Sequence, residues 1–346
     1  MLVPERRPEP ERLRDPDRRG AVTKLAITIA TWDYDRVRPL VDGRVSIEGC
    51  DVNYLILPPE ECFHRAYLHR EFDVSEIGFS PYLIAHSRGE SPYVALPVFL
   101  SRGFRHSAIY IRTDRGIRSP GDLKGKTIGV VEYQMSAVMW PRGMLADEYG
   151  VSPADMRWMQ GGLDVPGRKE KFPLNLPPGF PLQPIPEGAT LSSMLAQGRL
   201  DAVITPRPPL CYGDGTTPVR RLFEDFETAE REYFQRTRVF PIMHALGIRN
   251  DVHAQHPWLA ASLQKAFTEA KRLATADLFE FTALKIGLPW IVSHARQTRD
   301  LMGEDFWPYG VSANRHTLDV MTRYSYEQGL AVRKLDPDAL FAPGSD

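Results

Sequence analysis

Cysteine is scarce in this chain of 346 residues, and neither a long apolar run nor an excess of basic charge is present. Its cysteines, Cys50, Cys62 and Cys211, are far apart and form no CxxC or Cys/His pattern, which argues against a disulfide framework and a structural zinc site. No segment reaches the roughly 18 consecutive apolar residues of a membrane helix. The net charge of −1 argues against a dedicated nucleic-acid binder. The composition favours reduced thiols in a cytoplasm, with neither membrane nor nucleic acid as a partner.

Residues 1–22 carry charge and proline but no apolar core of a signal peptide. We predict a disordered tail there, and a cytoplasmic location for the protein. The remaining chain suits two domains of about 100–200 residues each.

The segment from Asp122 to Trp140 has the pattern of a turn, a buried strand and a polar loop. Thr127–Val131 is a short apolar, β-branched run, typical of a strand covered on both faces. We expect Glu132–Met139 to be a loop, because Pro141 favours a helix that begins near Trp140. Ligands bind at the carboxyl ends of strands in open α/β sheets, so this loop is available for chemistry.

Strand and helix patterns alternate on both sides of this segment and predict an α/β fold with two lobes. The order strand, helix, strand, helix, strand over residues 24–86 predicts a parallel sheet. A second series begins at 107, and the strand over 239–248 is expected to cross back. We therefore assign 23–106 and 239–346 to lobe 1 and 107–238 to lobe 2. This is the organisation of the type II periplasmic-binding-protein-like fold, whose ligands occupy the interlobe cleft. Residues 161–188, rich in proline and glycine, are predicted to form a long functional loop.

Six short segments stand out along the chain: Pro97–His106, Glu132–Met135, Pro166–Arg168, Phe240–His244, Trp307–Gly310 and Asn314–Arg315. In their joint order, these segments resemble those of the 4,5-dihydroxyphthalate decarboxylase family. The resemblance implies nonoxidative decarboxylation of 4,5-dihydroxyphthalate, or of a closely related hydroxylated aromatic acid, to protocatechuate and CO2. It also implies a role in phthalate degradation, an aromatic dicarboxylate as the small-molecule partner, and a homo-oligomer.

Such a reaction requires cationic anchors for two carboxylates, a proton donor for a ring carbon and an acceptor for the phenols. Arg102, Arg105 and His106 are close together at the joint between the lobes and are candidate anchors. Arg207, between two prolines at a strand's carboxyl end, is a further candidate. For Arg102, Arg105 and His106, solvation at the surface or an ion pair between the lobes is the alternative.

His244 lies in an otherwise apolar strand and is our first choice for the general acid; a core histidine bonded to a carbonyl is the alternative. Glu132 ends the strand of the central segment. It is predicted to orient His244 or to accept a phenol proton, and capping of the next turn is the alternative.

The loops at the same sheet edges supply further candidate substrate ligands. They are Asp33, Ser80, Tyr82, Tyr133, Gln134, Ser136 and Arg168. Arg168 would belong to a lid, with a solvated charge run as the alternative. Asp33 would accept a phenol hydroxyl, and helix capping is the alternative, because an aspartate just before a helix often caps it.

No motif requires a cofactor, and a divalent metal held by His244, Glu132 and Asp33 is kept as an alternative. Two other functions are also open. One is a binding protein that closes on an aromatic acid without chemistry. The other is an enzyme of thiamine-precursor or menaquinone chemistry on the same fold, against which the arginine-rich segments favour a dianionic substrate.

Overall fold

The computed structural model describes residues 24–345, so the tail predicted over 1–22 lies outside the described residues. Two sheets with helices packed on them form the described part, which confirms the two-lobed α/β architecture. No helix within residues 24–345 combines the length and apolar character that a membrane span requires.

The first sheet has the order β2-β1-β3-β11-β4. Its strands are β1 (Leu25–Thr31), β2 (Cys50–Ile56), β3 (Val74–Gly78), β4 (Tyr93–Arg102) and β11 (Ile242–Arg249). The first three are parallel, as the alternating pattern predicts, and β11 runs antiparallel between β3 and β4. A strand from late in the sequence therefore completes the sheet built by the first hundred residues.

The second sheet has the order β10-β5-β9-β6-β7-β8. Its strands are β5 (Ile109–Arg112), β6 (Thr127–Val130), β7 (Arg157–Gln160), β8 (Leu182–Pro184), β9 (Ala202–Ile204) and β10 (Val219–Arg221). The inner strand β6 is parallel to β7 and β9, and its apolar side chains are buried on both faces. The lobe boundaries at 106/107 and 238/239 stay a prediction.

The α-helices cover the two sheets. They are α1 (Arg38–Val41), α2 (Pro59–His64), α3 (Phe79–Arg88), α4 (Ser136–Tyr149), α5 (Leu191–Ala196), α6 (Phe226–Thr237), α7 (Asn250–Gln255), α8 (Leu259–Asp277), α9 (Ile291–Met302) and α10 (Arg315–Glu327). The central helix α4 contacts α3, α10 and β11, so it joins the second lobe to the first.

Helix α4 begins at Ser136, and the predicted start near Trp140 was wrong. Pro141 lies inside the helix, where its missing N–H leaves the Ala137 carbonyl without a helical donor. Two hydrogen bonds from this part of the helix to β11 compensate for the lost helical bond. Ser136 Oγ donates to Met243 O at 3.0 Å, and Trp140 Nε1 donates to Ile242 O at 2.8 Å. Tertiary bonds to β11 therefore hold a turn that local propensity disfavours.

Candidate active site

A cavity of about 560 Å³ lies between the two sheets, where β1, β3, β6 and β9 end. Its polar lining comes from both lobes and consists of Glu60, Arg105, Ser136, Arg168, Lys171, Thr205, Arg207 and His244. A depression of about 820 Å³ at Lys24, Glu48 and Trp258 lies at the other end of β1. Ligands of α/β sheets bind at the carboxyl ends of strands, so the cavity between the sheets, here called the cleft, is the candidate site.

A histidine–carboxylate pair forms one wall of the cleft. His244 Nδ1 lies 2.6 Å from Glu76 Oε1, and the His244 ring lines the cavity. Its other nitrogen, Nε2, makes no hydrogen bond with any of residues 24–345. A carboxylate on Nδ1 fixes the orientation of an imidazole and stabilises its protonated form. This arrangement suits His244 for proton transfer to a bound molecule.

Glu76 is fully buried in β3 and holds three donors. Besides His244, it accepts from the Tyr34 hydroxyl at 2.7 Å and from the Trp32 N–H at 2.8 Å. Burial raises the pKa of the Glu76 carboxyl. The hydrogen bond and charge of His244, together with the hydrogen bonds from Tyr34 and Trp32, outweigh burial and bring that pKa below its ordinary value. The Glu76 side chain is therefore a carboxylate at neutral pH.

The backbone of β11 aims His244 into the cleft. His244 pairs with Gly78 of β3 on one side and with Ser101 of β4 on the other. On the β4 side the register shifts both before and after His244. Bulges of this kind re-aim a side chain out of a regular ladder. Phe63 meets the imidazole edge-on, with ring centroids 4.7 Å apart, and limits its rotation.

Arg105 and Arg207 line the cleft without a carboxylate partner among residues 24–345. Arg105 Nε donates to Met243 Sδ, at 3.3 Å. Burial lowers the pKa of Arg105 to about 10, so the guanidinium stays charged at neutral pH. Arg207 is exposed at the cleft, and Pro206 stiffens the chain before it. Two unpaired guanidinium groups are suitable ligands for two carboxylates.

Glu132 is held by two cations and does not contact His244. It is fully buried and accepts from Arg168 Nε at 2.6 Å and from Lys171 Nζ at 2.8 Å. The same two cations also bind Glu60 of the first lobe: Arg168 donates to Glu60 Oε2, and Lys171 Nζ donates to the same oxygen at 3.2 Å. These four residues form an ion-pair cluster across the mouth of the cleft. Glu76, rather than Glu132, is the carboxylate that orients His244.

The first turns of α3 and α4 meet at the floor of the cleft. Ser136 Oγ accepts from the Ser80 N–H at 3.0 Å, and the N–H groups of Ser136 and Ala137 have no acceptor within α4. Ser136 and Ala137 both line the cavity. Free N–H groups at a helix N-terminus bind anions, so this turn is a further candidate carboxylate ligand.

Three predicted substrate ligands lie outside the cleft lining. Arg102 is buried, donates to Asn314 Oδ1 at 2.5 Å and stacks near Phe240. The His106 side chain is buried without a hydrogen-bond partner among residues 24–345, and burial lowers its pKa to about 4, so it carries no charge for an anion. Tyr82 donates to Leu340 O at 2.5 Å. These side chains serve packing within the protein.

Four more predicted ligands lie just behind the cleft surface, outside its lining. Tyr133 packs on Trp158, and Gln134 donates to Glu170 Oε2 at 2.7 Å. Asp33 pairs with Arg38, and the Ser80 hydroxyl is buried without a partner. Of the predicted residues, Arg105, Ser136, Arg168, Arg207 and His244 are brought together in the lining. Within residues 24–345, no group of three or more His, Cys, Asp or Glu side chains is placed to hold a metal ion.

Sequence reasoning missed Glu76, Glu60 and Lys171. A carboxylate in the middle of the strand Val74–Gly78 was a usable signal for Glu76, because a buried charge requires partners. Glu60 follows Pro58 and Pro59, and Lys171 belongs to the same charge run as Arg168; nothing local distinguishes either from a surface charge.

The chain is similar to known proteins in fold and in sequence. A family profile described as ABC transporter, phosphonate, periplasmic substrate-binding protein matches residues 46–162. The periplasmic aliphatic sulphonate binding protein of Escherichia coli has a TM-score of 0.50 and 14% identity, covering 92% of this chain and 97% of its own. A putative sulfonate-binding protein of Methylobacillus flagellatus has a TM-score of 0.52 and 15% identity, with 93% and 92% covered. These likenesses confirm the periplasmic-binding-protein-like fold.

Two curated relatives share the same enzyme name. A 4,5-dihydroxyphthalate decarboxylase of Pseudomonas putida is 46% identical over 214 residues, 62% of this chain and 83% of that protein. A 4,5-dihydroxyphthalate decarboxylase of Comamonas testosteroni is 47% identical over 324 residues, 94% of this chain and 98% of that protein. Because this identity extends over nearly the whole of both chains, the protein belongs to the 4,5-dihydroxyphthalate decarboxylase family.

Proposed function

We propose that this protein decarboxylates 4,5-dihydroxyphthalate, or a closely related hydroxylated aromatic acid, to protocatechuate and CO2. The observation that carries the proposal is the His244–Glu76 pair, 2.6 Å apart, in a cleft that also holds two unpaired arginines. Family membership supports the same reaction class, a carboxy-lyase.

The reaction consumes one proton for each CO2 released. His244 Nε2, protonated and stabilised by Glu76, gives a proton to the ring carbon that bears the leaving carboxylate. The C–C bond to that carboxylate then breaks, its electron pair returns to the ring, and CO2 departs. The imidazole recovers its proton from solvent. Each of these roles is within the ordinary chemistry of the side chains present.

Arg105, Arg207 and the first turn of α4 hold the two carboxylates in this proposal. Arg105 is half-buried and Arg207 is exposed, so the charge of Arg105 is less screened by solvent and is the stronger anchor. Glu132 binds Arg168 and Lys171, which keeps the mouth of the cleft closed over substrate.

Two further features are part of the proposal and depend on the family resemblance. The partner is a small aromatic dicarboxylate, and the working form is a homo-oligomer. The lobes comprise 23–106 with 239–346, and 107–238, so that substrate is bound where the two groups of strands face each other.

Replacement of His244 tests the proposal. His244→Asn keeps a hydrogen bond to Glu76 but removes the acid. We expect turnover of 4,5-dihydroxyphthalate to fall at least about a thousandfold, within the range for loss of a general acid and its proton. Thermal stabilisation by the substrate should persist, because the anchors are intact.

The substitution His86→Asn is a matched control, because His86 is a histidine of helix α3 in the first lobe and lies outside the cleft lining. It should leave turnover unchanged. Normal turnover by His244→Asn would remove this residue from the acid role. Stabilisation of the wild type by substrate, with no product formed, would instead indicate a binding protein.

A further inference from the structure

We propose that Glu60 binds the substrate hydroxyl that is para to the leaving carboxylate, and so selects hydroxylated aromatic acids over plain phthalate. The inference rests on the proposed decarboxylase function and deepens it by naming a specificity determinant. Sequence patterns gave no reason to single out this residue.

Glu60 is the one carboxylate in the cleft lining among residues 24–345. It lies in the first turn of α2, directly after Pro58 and Pro59, which also line the cavity. These prolines fix the backbone that carries it. Its side chain is 43% exposed, so it is accessible to a molecule in the cleft.

Only one oxygen of this carboxylate is occupied. Arg168 and Lys171 both bond to Oε2, and Oε1 has no hydrogen-bond partner among residues 24–345. The two cations outweigh the effect of burial and hold the pKa of the Glu60 carboxyl below its ordinary value. At neutral pH, Oε1 is therefore a free, charged acceptor that offers no proton.

A dicarboxylate without hydroxyl groups has no hydrogen-bond donor for the free oxygen of the Glu60 carboxylate. The rest of the charged lining is cationic: Arg105, Arg168, Lys171 and Arg207. Phthalate brings only acceptors, so it leaves Glu60 Oε1 unpaired and adds like charge to the cleft. A ring with phenol hydroxyls brings the donor that this oxygen lacks. The cleft thus combines attraction for carboxylates with a penalty for a ring that lacks a donor.

The same contact assists the chemistry. When His244 protonates the ring carbon, positive charge develops at the carbon para to it, and a hydroxyl oxygen there donates electron density. A hydrogen bond from that hydroxyl to Glu60 strengthens the donation. After CO2 leaves, the hydroxyl keeps its proton, so Glu60 gains none and no oxidant or reductant is required. Glu60 acts more strongly on the transition state than on the bound substrate.

Glu60→Gln tests this inference, with Glu61→Gln as the matched control. Gln keeps the shape of Glu60 but removes the charge, and Arg168 and Lys171 retain Glu132 as partner. Glu61 is the next residue of α2, pairs with Arg65 at 2.9 Å and lies outside the cleft lining. The readouts are kcat/KM for 4,5-dihydroxyphthalate and the inhibition constant of phthalate as a competitor.

We expect Glu60→Gln to lower kcat/KM about ten- to a hundredfold, the usual effect of a hydrogen bond to a charged group. Phthalate should inhibit this variant as well as the wild type or better, since the negative charge beside the free oxygen of Glu60 is gone. Glu61→Gln should change neither value. An unchanged ratio of the two constants in Glu60→Gln would overturn the inference while leaving the decarboxylase function in place.

Failure of the proposed function gives a different result. If the wild type forms no product, the same proteins are compared by thermal shift with 4,5-dihydroxyphthalate and with phthalate. A preference for the hydroxylated acid that is present in the wild type and lost in Glu60→Gln would support hydroxyl recognition by Glu60 alone. Any other pattern overturns it.

Discussion

His244 and Glu76, 2.6 Å apart, are the two residues on which the proposed proton transfer depends. His244 was singled out because it interrupts an apolar strand, and it lines the cleft. Its partner was expected to be Glu132, which lies in the second lobe and binds Arg168 and Lys171 instead. Glu76 reaches His244 because β3 and β11 are neighbours in the sheet, 168 positions apart in sequence. Strand pairing at that separation leaves no local signal.

Arg102 and Arg105 illustrate the same limit. They are three positions apart, and only Arg105 lines the cleft. Arg102 lies at the end of β4, where Asn314 and the Pro308 carbonyl take its guanidinium. The sequence identifies a basic joint, but the direction of each side chain depends on where the strand ends.

Replacement of Glu76 provides a test at this scale. Glu76→Gln keeps the size of the side chain but removes the charge that stabilises protonated His244. We expect kcat to fall at least about tenfold, because a hydrogen bond to a charged group contributes about 1.5–3 kcal/mol, with KM little changed. Glu71→Gln, an exposed glutamate paired with Arg65, is the control.

Stability gives a second readout for Glu76. Its folded-state pKa lies below the ordinary value of about 4.3, so its charge stabilises the fold above that pH. The stabilisation is lost as the pH falls through the lower, folded-state pKa. The stability difference between wild type and Glu76→Gln should therefore shrink on acidification below about pH 4.3. A difference that is constant with pH would contradict an ionised Glu76.

At the scale of elements, the strands were largely predictable and the helix starts were not. Apolar, β-branched runs identified β1, β2, β6 and β11 to within a few residues. Helix α3 begins at Phe79, although Ser80 and Tyr82 were expected in a loop, and α4 begins at Ser136. Both starts are fixed by contacts between the two helices and β11, which a local pattern cannot contain.

Ser136 is the residue through which these elements meet. Its hydroxyl accepts from Ser80 N–H and donates to Met243 O, both at 3.0 Å. Ser136→Ala leaves the Ser80 N–H and the Met243 carbonyl without this partner, so we expect a loss of about 1–3 kcal/mol in the free energy of unfolding. KM should also rise, because the first turn of α4 lines the cleft. Urea unfolding and steady-state kinetics measure the two effects.

Ser87→Ala is the matched control for this element. Ser87 is also buried and its hydroxyl also makes two bonds, to Ile84 O and from Val332 N–H, away from the cleft. It should lose similar stability with no change in KM. Equal KM effects in both variants would contradict a role for the α4 turn in substrate binding.

At the scale of the whole molecule, the two-lobed fold followed from the alternation of strands and helices, and the family from the joint order of several short segments. The ion-pair cluster across the cleft could not be predicted from these sequence patterns. Glu60 belongs to the first lobe and Arg168 to the loop after β7, and their contact depends on how the lobes face each other. Charge runs such as Arg168–Lys171 are ordinarily solvated, so only the assembled cleft distinguishes them.

The central claim is that residues of this chain protonate an aromatic ring and release CO2. The most direct measurement is to incubate chelator-treated protein with 4,5-dihydroxyphthalate in D2O and to analyse the products by NMR and mass spectrometry. We expect protocatechuate with one deuterium at the carbon that lost CO2, at the same rate as untreated protein, because His244, Glu76 and the arginines supply the acid and the anchors. Stabilisation of the protein by the compound without any product would contradict it.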